Sequence, residues 1–493
     1  MLADRLAEWL QARGEPVDYV TETHLSVLVF TTTHTYKAKK SVAYGFVDLS
    51  TPALRTAVLD AELALNRRFS PDVYLERVDL PATAHEPAEP VLVMRRLSDD
   101  HRLTVIARHG GGTECVTRVA ARLAAVHVAS PRSHAIDAAA TTEAMEHLWA
   151  QELAEVQRFV GSVLDSTLAA QIASDAAAYV AGRQELFDAR IADHRIVDGH
   201  GDLLADDIFC LADGPRILDC LEFSDTLRWG DTIADAAFLA MDLERLGRPD
   251  LAAAFVDEFR RITHDDAPPS LLDHHIAYRA HVRAKVACLR VEQGDGSAAS
   301  IAQEDLALAA AHLRRGRVAL VLVGGLPGTG KSTVAARLGE RDGTVVLRSD
   351  VVRKELAGLD PLASATSTIG TGLYRSEQTM ATYASLLDRA AHHLRRGHTV
   401  VLDATWADTT QRAAAEQVAS ATHSTFVAIE CRCPATVAER RIVERTAAHH
   451  DPSDATVEVY RAMRAAFTPW PEAVPLDTTT APDLATLPDF EVP

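Results

Sequence analysis

A chain of 493 residues with 47% hydrophobic and 24% charged residues is too long for one core and reads as two or more globular units, not as a disordered or fibrous polymer. A formal net charge of -19, without a long basic stripe, argues against a nucleic-acid polymer as partner. No apolar run reaches about 18 residues, and the amphipathic start MLADRLAEWLQARGEP lacks a signal peptide's apolar centre, so a cytoplasmic protein without a membrane partner is expected.

With no secretory signal, the six cysteines are expected to be reduced thiols. Cys431-x-Cys433 has no second cysteine pair to complete a zinc site. The adjacent pairs His274-His275, His392-His393 and His449-His450 point in different directions on a helix and are expected to be solvated or partly buried.

In chain order, residues 17–97 hold strand-like pieces at 25–30, 35–39 and 90–94 around a helix at 54–68. From about residue 115 the pattern is mostly helical. It is interrupted by a hairpin in which 207–211 and 216–219 flank a turn containing Asp213-Gly214. The stretch His200-Gly201-Asp202-Leu203-Leu204-Ala205-Asp206-Asp207 precedes that hairpin, and Asp219 ends it. Asp202 and Asp207 have the Asp-x-x-x-x-Asn spacing of a kinase catalytic loop, with Asp in place of Asn. On that geometry Asp202 accepts a substrate hydroxyl proton while Asp207 and Asp219 hold Mg²⁺.

A helix at 302–315 ends in Arg314-Arg315-Gly316, just after the linker-like GDGSAAS, which places a domain boundary between 1–315 and 316–493. Beyond it the apolar run 318–323 leads into GLPGTGKS at 325–332, a complete G-x-x-x-x-G-K-[ST] phosphate loop. Gly325, Pro327, Gly328, Thr329, Gly330, Lys331, Ser332 and Thr333 are the nucleotide-binding residues, Lys331 reaching the β- and γ-phosphates of ATP and Ser332 holding Mg²⁺. Strands at 344–347, 399–402 and 425–430 alternate with helices from 331, across 376–396, near 408–420 and through Arg440 and Tyr460, the rhythm of a parallel α/β sheet.

Two acids stand at strand ends, where parallel sheets gather ligands. Asp403 reads as a metal partner, or alternatively as a helix cap. In Arg348-Ser349-Asp350-Val351-Val352-Arg353, Asp350 is placed to take the acceptor's proton and Arg353 to steady the transferred charge; the alternative is an N-cap with a surface arginine. Trp406 either lines the acceptor pocket or packs.

These residues resemble the small P-loop kinases related to zeta toxins, gluconate kinases and the kinase domain of polynucleotide kinases. The resemblance implies that Asp350 contacts the acceptor and that Arg440 or Arg441, with Arg445, supplies lid arginines over the nucleotide. The stretch around Asp202 resembles the aminoglycoside phosphotransferase family, whose usual form is H-G-D-x-H-x-x-N followed by an I-D strand end. That likeness implies a bilobal protein-kinase-like fold ahead of a P-loop NTPase sheet, so α+β then α/β. It also makes Lys37 or Lys39 the phosphate-pairing lysine and Glu62 its partner, with Val93 and Met94 near the adenine. Alternation places both lysines on one strand face, leaving the choice between them open. Leu204 replaces the family's second histidine, Asp207 its metal-binding Asn, and no glycine-rich loop precedes Lys37.

The whole order resembles bacterial two-domain bifunctional phosphotransferase/ATP-binding proteins. It implies an ATP- and Mg²⁺-dependent kinase acting on a small-molecule acceptor, with the oligomeric state left open. The rival readings make the first domain a degenerate regulatory module, or the second an ATPase switch.

Overall fold

The computed structural model describes residues 2–44, 47–360, 375–448, 455–482 and 484. The chain forms two compact units, Met1–Thr141 with Arg190–Asp266, and Thr142–Ala189 with Ala267–Pro493.

The first unit begins with strands β1 (Val17–Glu22), β2 (Ser26–Thr31), β3 (His34–Lys39), the short pair β4 (Ala43–Tyr44) and β5 (Val47–Asp48), then β6 (Tyr74–Leu80) and β7 (Glu89–Arg95). Five of these make an antiparallel sheet in the order β1-β2-β3-β7-β6. Strand alternation sends Val27, Val29, Tyr36 and Val91 to one face, where Leu6 and Leu10 of the helix Leu2–Ala12 join them. Leu92 and Met94 project to the other face, against Leu59 of the helix Pro52–Asn66. Lys37 and Lys39, alternating with Tyr36 and Ala38, share that second face with Glu62.

The remainder of this unit is mainly helical, with Thr113–Ala129, Thr232–Arg245 and Pro249–Thr263 as its longest members. Between them run β8 (Ile196–Asp198), β9 (Ile208–Leu211), β10 (Gly214–Ile217) and β11 (Trp229–Asp231). β9 and β10 form the hairpin expected from Asp213-Gly214, and β8 pairs antiparallel with β11. Cys115, on the helix Thr113–Ala129, forms a disulfide with Cys210 of β9. The expectation of six reduced thiols is therefore corrected: composition does not reveal which distant cysteines the fold brings together.

The second unit carries a wholly parallel sheet in the order β13-β14-β12-β15-β16, built from β12 (Ala319–Gly324), β13 (Thr344–Arg348), β14 (Thr399–Asp403), β15 (Thr425–Arg432) and β16 (Val474–Asp477). Every residue of the central β12 is buried, which explains its unbroken apolar run. The helices Thr142–Val156, Ser166–Ala181, Pro269–Glu292 and Ala298–Arg315 belong to the same unit. Ser270 Oγ donates to Gly397 O at 2.7 Å, and the buried Arg183 donates to Thr422 O at 2.8 Å, joining these helices to the loops beneath the sheet.

His274 and His275 are buried, His274 stacking on Tyr179 with ring centroids 4.4 Å apart, so this pair is covered more fully than the solvated or partly buried state expected of it. Packing between helices covers them, which a single helix period does not disclose. His392 is exposed beside Glu185, while His449 and His450 lie outside the described residues. Among the described residues no helix is long and apolar enough to cross a membrane.

Candidate active sites

The phosphate loop leaves the C-terminal end of β12 and enters the helix Lys331–Leu338. Gly325, Gly328 and Gly330 take φ of 128°, 78° and 86°, values that L side chains rarely adopt, and these turns cup the loop around one cavity. A Cβ on Gly325 would lie 2.5 Å from Cys431 O, and one on Gly328 2.5 Å from Ala438 O. Thr329 Oγ1 donates to Leu326 O at 2.8 Å, and Lys331 Nζ reaches the same carbonyl at 3.0 Å. The lysine thus spans the mouth of its own loop, where a phosphate would displace it.

The cavity, of about 320 Å³, is lined by Pro327, Gly328, Gly330, Lys331, Ser332 and Thr333 and also by Asp350, Arg353, Asp403, Arg441 and Arg445. The sheet register explains why Asp403 is there: parallel pairing sets it beside Val323 of β12 and Arg348 of β13. Its carboxyl hydrogen-bonds Ser332; burial pushes its pKa up, while Lys331, Ser332 and Arg348 oppose that shift. Asp403 is therefore a neighbour of the loop hydroxyl. Asp408, not Asp403, caps the following helix, accepting from Thr410 N at 2.7 Å.

Asp350 lies inside the first turn of the helix Ser349–Leu356 and pairs with Arg353 at 2.8 Å, so neither the N-cap nor the surface-arginine alternative describes the pair. Of the adjacent lid candidates, Arg441 faces the cavity and donates to Thr478 O at 2.8 Å, while Arg440 is exposed beside Glu444. Arg445 donates to Ala455 O at 3.0 Å. Gly325 and Thr329 shape the loop from beneath. Trp406 is fully buried and does not line the cavity, so it packs.

In the first unit Glu62 receives both candidate lysines, Lys37 Nζ at 2.7 Å on one oxygen and Lys39 Nζ at 2.8 Å on the other. Lys37 also reaches Asp219 at 2.8 Å, whereas Lys39 reaches Glu222 at 2.6 Å. The two lysines thus share one partner and differ in the second. Lys37 holds the Asp219 carboxyl down at about 2, against the opposing effect of burial. Asp219 itself adopts a φ of 63°, a left-handed backbone for a non-glycine residue at the end of the hairpin.

Asp207 is pushed well above the usual carboxylate range, first by burial and then by the charges of Asp219, Asp202 and Asp206. Asp207 is therefore close enough to Asp219 and to Asp202 to feel their charges. The buried His200 presents Nε2 to Leu218 O at 3.0 Å and ties the loop to the hairpin. Val93 and Met94 sit inside β7, opposite Tyr36 and Thr35, and the sheet pairing ends one residue later at Arg95. Where a glycine-rich loop is missing, the β1–β2 turn is closed by Thr23, whose Oγ1 accepts from Ser26 N at 3.0 Å.

Among the described residues no three His, Cys, Asp or Glu side chains are grouped to hold a metal unaided. Mg²⁺ keeps waters and phosphate oxygens in its shell and needs only one or two protein oxygens. Ser332 with Asp403, and Asp207 with Asp219, are oxygen donors of that kind. The mutual repulsion at Asp207 is what a divalent cation would relieve.

Sequence reasoning missed Arg348, whose Nε lies 3.3 Å from Asp403, and Glu222, the second partner of Lys39. It also missed Tyr383 and Gln411, which line the cavity. No local motif marks any of them. Arg348 was readable only as the residue two before Asp350, at a strand end.

A phosphate loop at a parallel sheet, and a lysine–glutamate pair beside Asp219 at an antiparallel sheet, define a protein that joins a P-loop nucleotide-binding domain to a kinase-like domain. Such domains are typical of ATP-dependent kinases. The AAA domain family matches residues 320–470. The chain is 40% identical over 468 residues to uncharacterized protein Rv2004c of Mycobacterium tuberculosis (strain ATCC 25618 / H37Rv), covering 94% of this chain and 93% of that protein, and it belongs to the same family. A choline/ethanolamine kinase family protein from Mesorhizobium loti is 12% identical with a TM-score of 0.41, over 64% of this chain and 95% of that one. A gluconokinase from Sinorhizobium meliloti 1021 is 16% identical with a TM-score of 0.24, over 33% of this chain and 83% of that one.

Proposed function

We propose that the P-loop unit transfers the γ-phosphoryl group of ATP to a hydroxyl of a small-molecule acceptor, and that the kinase-like unit provides a second ATP site. The observation that carries the reading is that Asp350 and Arg353 line the same cavity as Lys331 and Ser332. A simple ATPase switch has no need of a carboxylate held by an arginine on the far side of the phosphates.

In the reaction the acceptor oxygen bonds to the γ-phosphorus as the bond to the β-γ bridging oxygen breaks. Asp350 takes the hydroxyl proton, and ADP leaves with the electron pair of the broken bond. Lys331 follows the charge onto the β-γ bridge, while Arg353, Arg441 and Arg445 surround the transferred group. Mg²⁺, when bound at Ser332 and Asp403, neutralises phosphate charge. In the first unit Asp202 is the proton acceptor, Lys37 the phosphate partner, and Asp207 with Asp219 the metal ligands.

A second reading keeps the first unit as a regulatory module without transfer. It is favoured by Asp207, which adds a negative charge where the related kinases carry Asn. Labelled ATP incubated with a metabolite pool separates the readings. Lys331→Ala and Asp350→Asn are expected to abolish transfer, and Asp202→Ala to abolish a second, distinct product. If Asp202→Ala changes no product, the first unit is not a kinase; if no acceptor is ever labelled while ATP is hydrolysed, the P-loop unit is a switch.

A further inference from the structure

The cavity extends past the phosphate loop into a recess between three helices, Ser349–Leu356, Ser376–Arg395 and Thr409–Ala421, where Asp350, Arg353, Thr379, Tyr383, Asp408 and Gln411 meet. The cation of this recess, Arg353, is bound to Asp350 at 2.8 Å. The other five of these six side chains are two carboxylates, an amide and two hydroxyls. An acceptor bearing a carboxylate or phosphate would add a third negative charge beside Asp350 and Asp408, against the single cation of this group, Arg353, which already faces Asp350, an unfavourable exchange. A neutral polyol, or one carrying an ammonium group, meets only complementary groups there.

Tyr383 has a specific place in this recess. Its oxygen accepts the amide of Trp406 at 3.2 Å and has a second hydrogen bond from the backbone of Thr405. Its lone pairs are thereby engaged, and the hydroxyl proton is what it has to offer. Burial pushes its pKa up to about 12, so it keeps that proton at any physiological pH.

The Trp406 turn makes this arrangement firm. Trp406 takes a φ of 54°, rare for a large side chain. It is held by its edge-on packing with Tyr383, centroids 5.1 Å apart, and by Arg412, whose Nε donates to Trp406 O at 2.7 Å. The same turn carries the chain from Asp403 to Asp408, so one strained element sets both ends of the site.

We infer that this recess is the acceptor subsite, that it takes an uncharged or cationic polyhydroxy compound and not an anionic one, and that the Tyr383 hydroxyl donates to an acceptor oxygen beside the reacting hydroxyl. The inference rests on the kinase reading of the P-loop unit and deepens it.

The test uses the full chain carrying Asp202→Ala, so that transfer by the first unit is removed, with γ-labelled ATP and the small-molecule pool of a bacterial extract, divided beforehand by ion exchange into anionic, neutral and cationic fractions. Labelled product is expected with the neutral or cationic fraction and none with the anionic. With the acceptor so found, Tyr383→Phe is expected to raise its KM about three- to tenfold, with kcat changed less. The Kd for a non-hydrolysable ATP analogue should stay the same. Gln411→Ala, which leaves the Trp406 turn untouched, is expected to move acceptor KM in the same direction and serves if Tyr383→Phe folds poorly. Product from the anionic fraction alone, or an acceptor KM unmoved in both variants, overturns the inference and leaves the kinase reading standing. Absence of product from every fraction while ATP is hydrolysed overturns both.

Discussion

Asp235, on the helix Thr232–Arg245, accepts the amide hydrogen of His200 at 2.8 Å and, with its other oxygen, that of Gly201 at 3.0 Å. His127 Nε2 lies 2.8 Å from the same carboxylate. His200, the residue that begins the 200–207 loop, is therefore anchored by an acid 35 positions further along the chain. Burial pushes the Asp235 pKa up, but the His127 contact, the His200 charge and the Gly201 amide outweigh it, and the net shift is downward.

A depressed carboxylate stabilises the fold above its unfolded pKa, about 3.9, and loses that contribution as the pH falls from there toward its folded value. Asp235→Asn is expected to cost about 2–4 kcal/mol at neutral pH, because it leaves buried donors facing an amide. The melting-temperature gap between wild type and variant should narrow below about pH 4, where the Asp235 carboxylate of the unfolded wild-type chain takes up a proton that the folded one still refuses. A gap that is constant from pH 7 to pH 3 contradicts this assignment.

Asp235 also shows where sequence reading stops. The phosphate loop was legible because its residues encode their own backbone: three glycines with positive φ and a helix start are local facts. The hairpin after Asp207 was legible for the same reason. Asp235, Tyr383 and Glu222 act on partners brought close only by folding, and each sits in a stretch whose local pattern is ordinary helix or loop. Among the strands, β1 went unnoticed because five of its six residues are exposed and no alternation shows. β16 is a short edge strand containing Pro475, a residue that argues against a strand on local grounds.

The shared partner of Lys37 and Lys39 leads to unequal outcomes for the two lysines. Lys37 touches Asp219 at 2.8 Å and so stands at the end proposed above to hold metal and phosphate, while Lys39 is turned to Glu222 at 2.6 Å and is almost wholly buried. Lys37→Met is expected to weaken nucleotide binding to the first unit by tenfold or more, about 1.4 kcal/mol per decade, with a modest stability change. Lys39→Met should do the reverse and cost about 3 kcal/mol of stability, because Glu62 and Glu222 are left buried together. Nucleotide titrations and melts on a Lys331→Ala background, which silences the P-loop site, distinguish them. Equal effects of the two substitutions on nucleotide affinity count against this division.

The Cys115–Cys210 bond closes a loop with a sequence separation of 95 and joins the helix Thr113–Ala129 to β9, directly after Asp207. A closure of that length stabilises by about 2–4 kcal/mol, chiefly by restricting the unfolded chain. Denatured, unreduced protein is expected to titrate four thiols, those of Cys220, Cys288, Cys431 and Cys433. After reduction it should titrate all six. Cys210→Ser should lower stability under oxidising conditions and match the reduced wild type otherwise. Six thiols before reduction would remove the bond from the account.

Two glycines with positive φ provide a matched comparison of backbone strain and steric closure. Gly358 has a φ of 69° and open space where a Cβ would go, so Gly358→Ala adds conformational strain alone, about 1–2 kcal/mol. Gly325 has a φ of 128°, and its added Cβ would lie 2.5 Å from Cys431 O and 2.9 Å from Thr329 Oγ1. Neither neighbour yields easily, since one is backbone of β15 and the other is bonded to Leu326 O. Gly325→Ala is therefore expected to shift the first turn of the phosphate loop and raise the nucleotide Kd at this site at least tenfold, while Gly358→Ala leaves that Kd unchanged. Melting curves and titrations with an ATP analogue, run on a Lys37→Met background so that the first unit contributes little, read both effects. If the two variants lose nucleotide affinity equally, strain and not the contact with β15 sets the geometry of the loop.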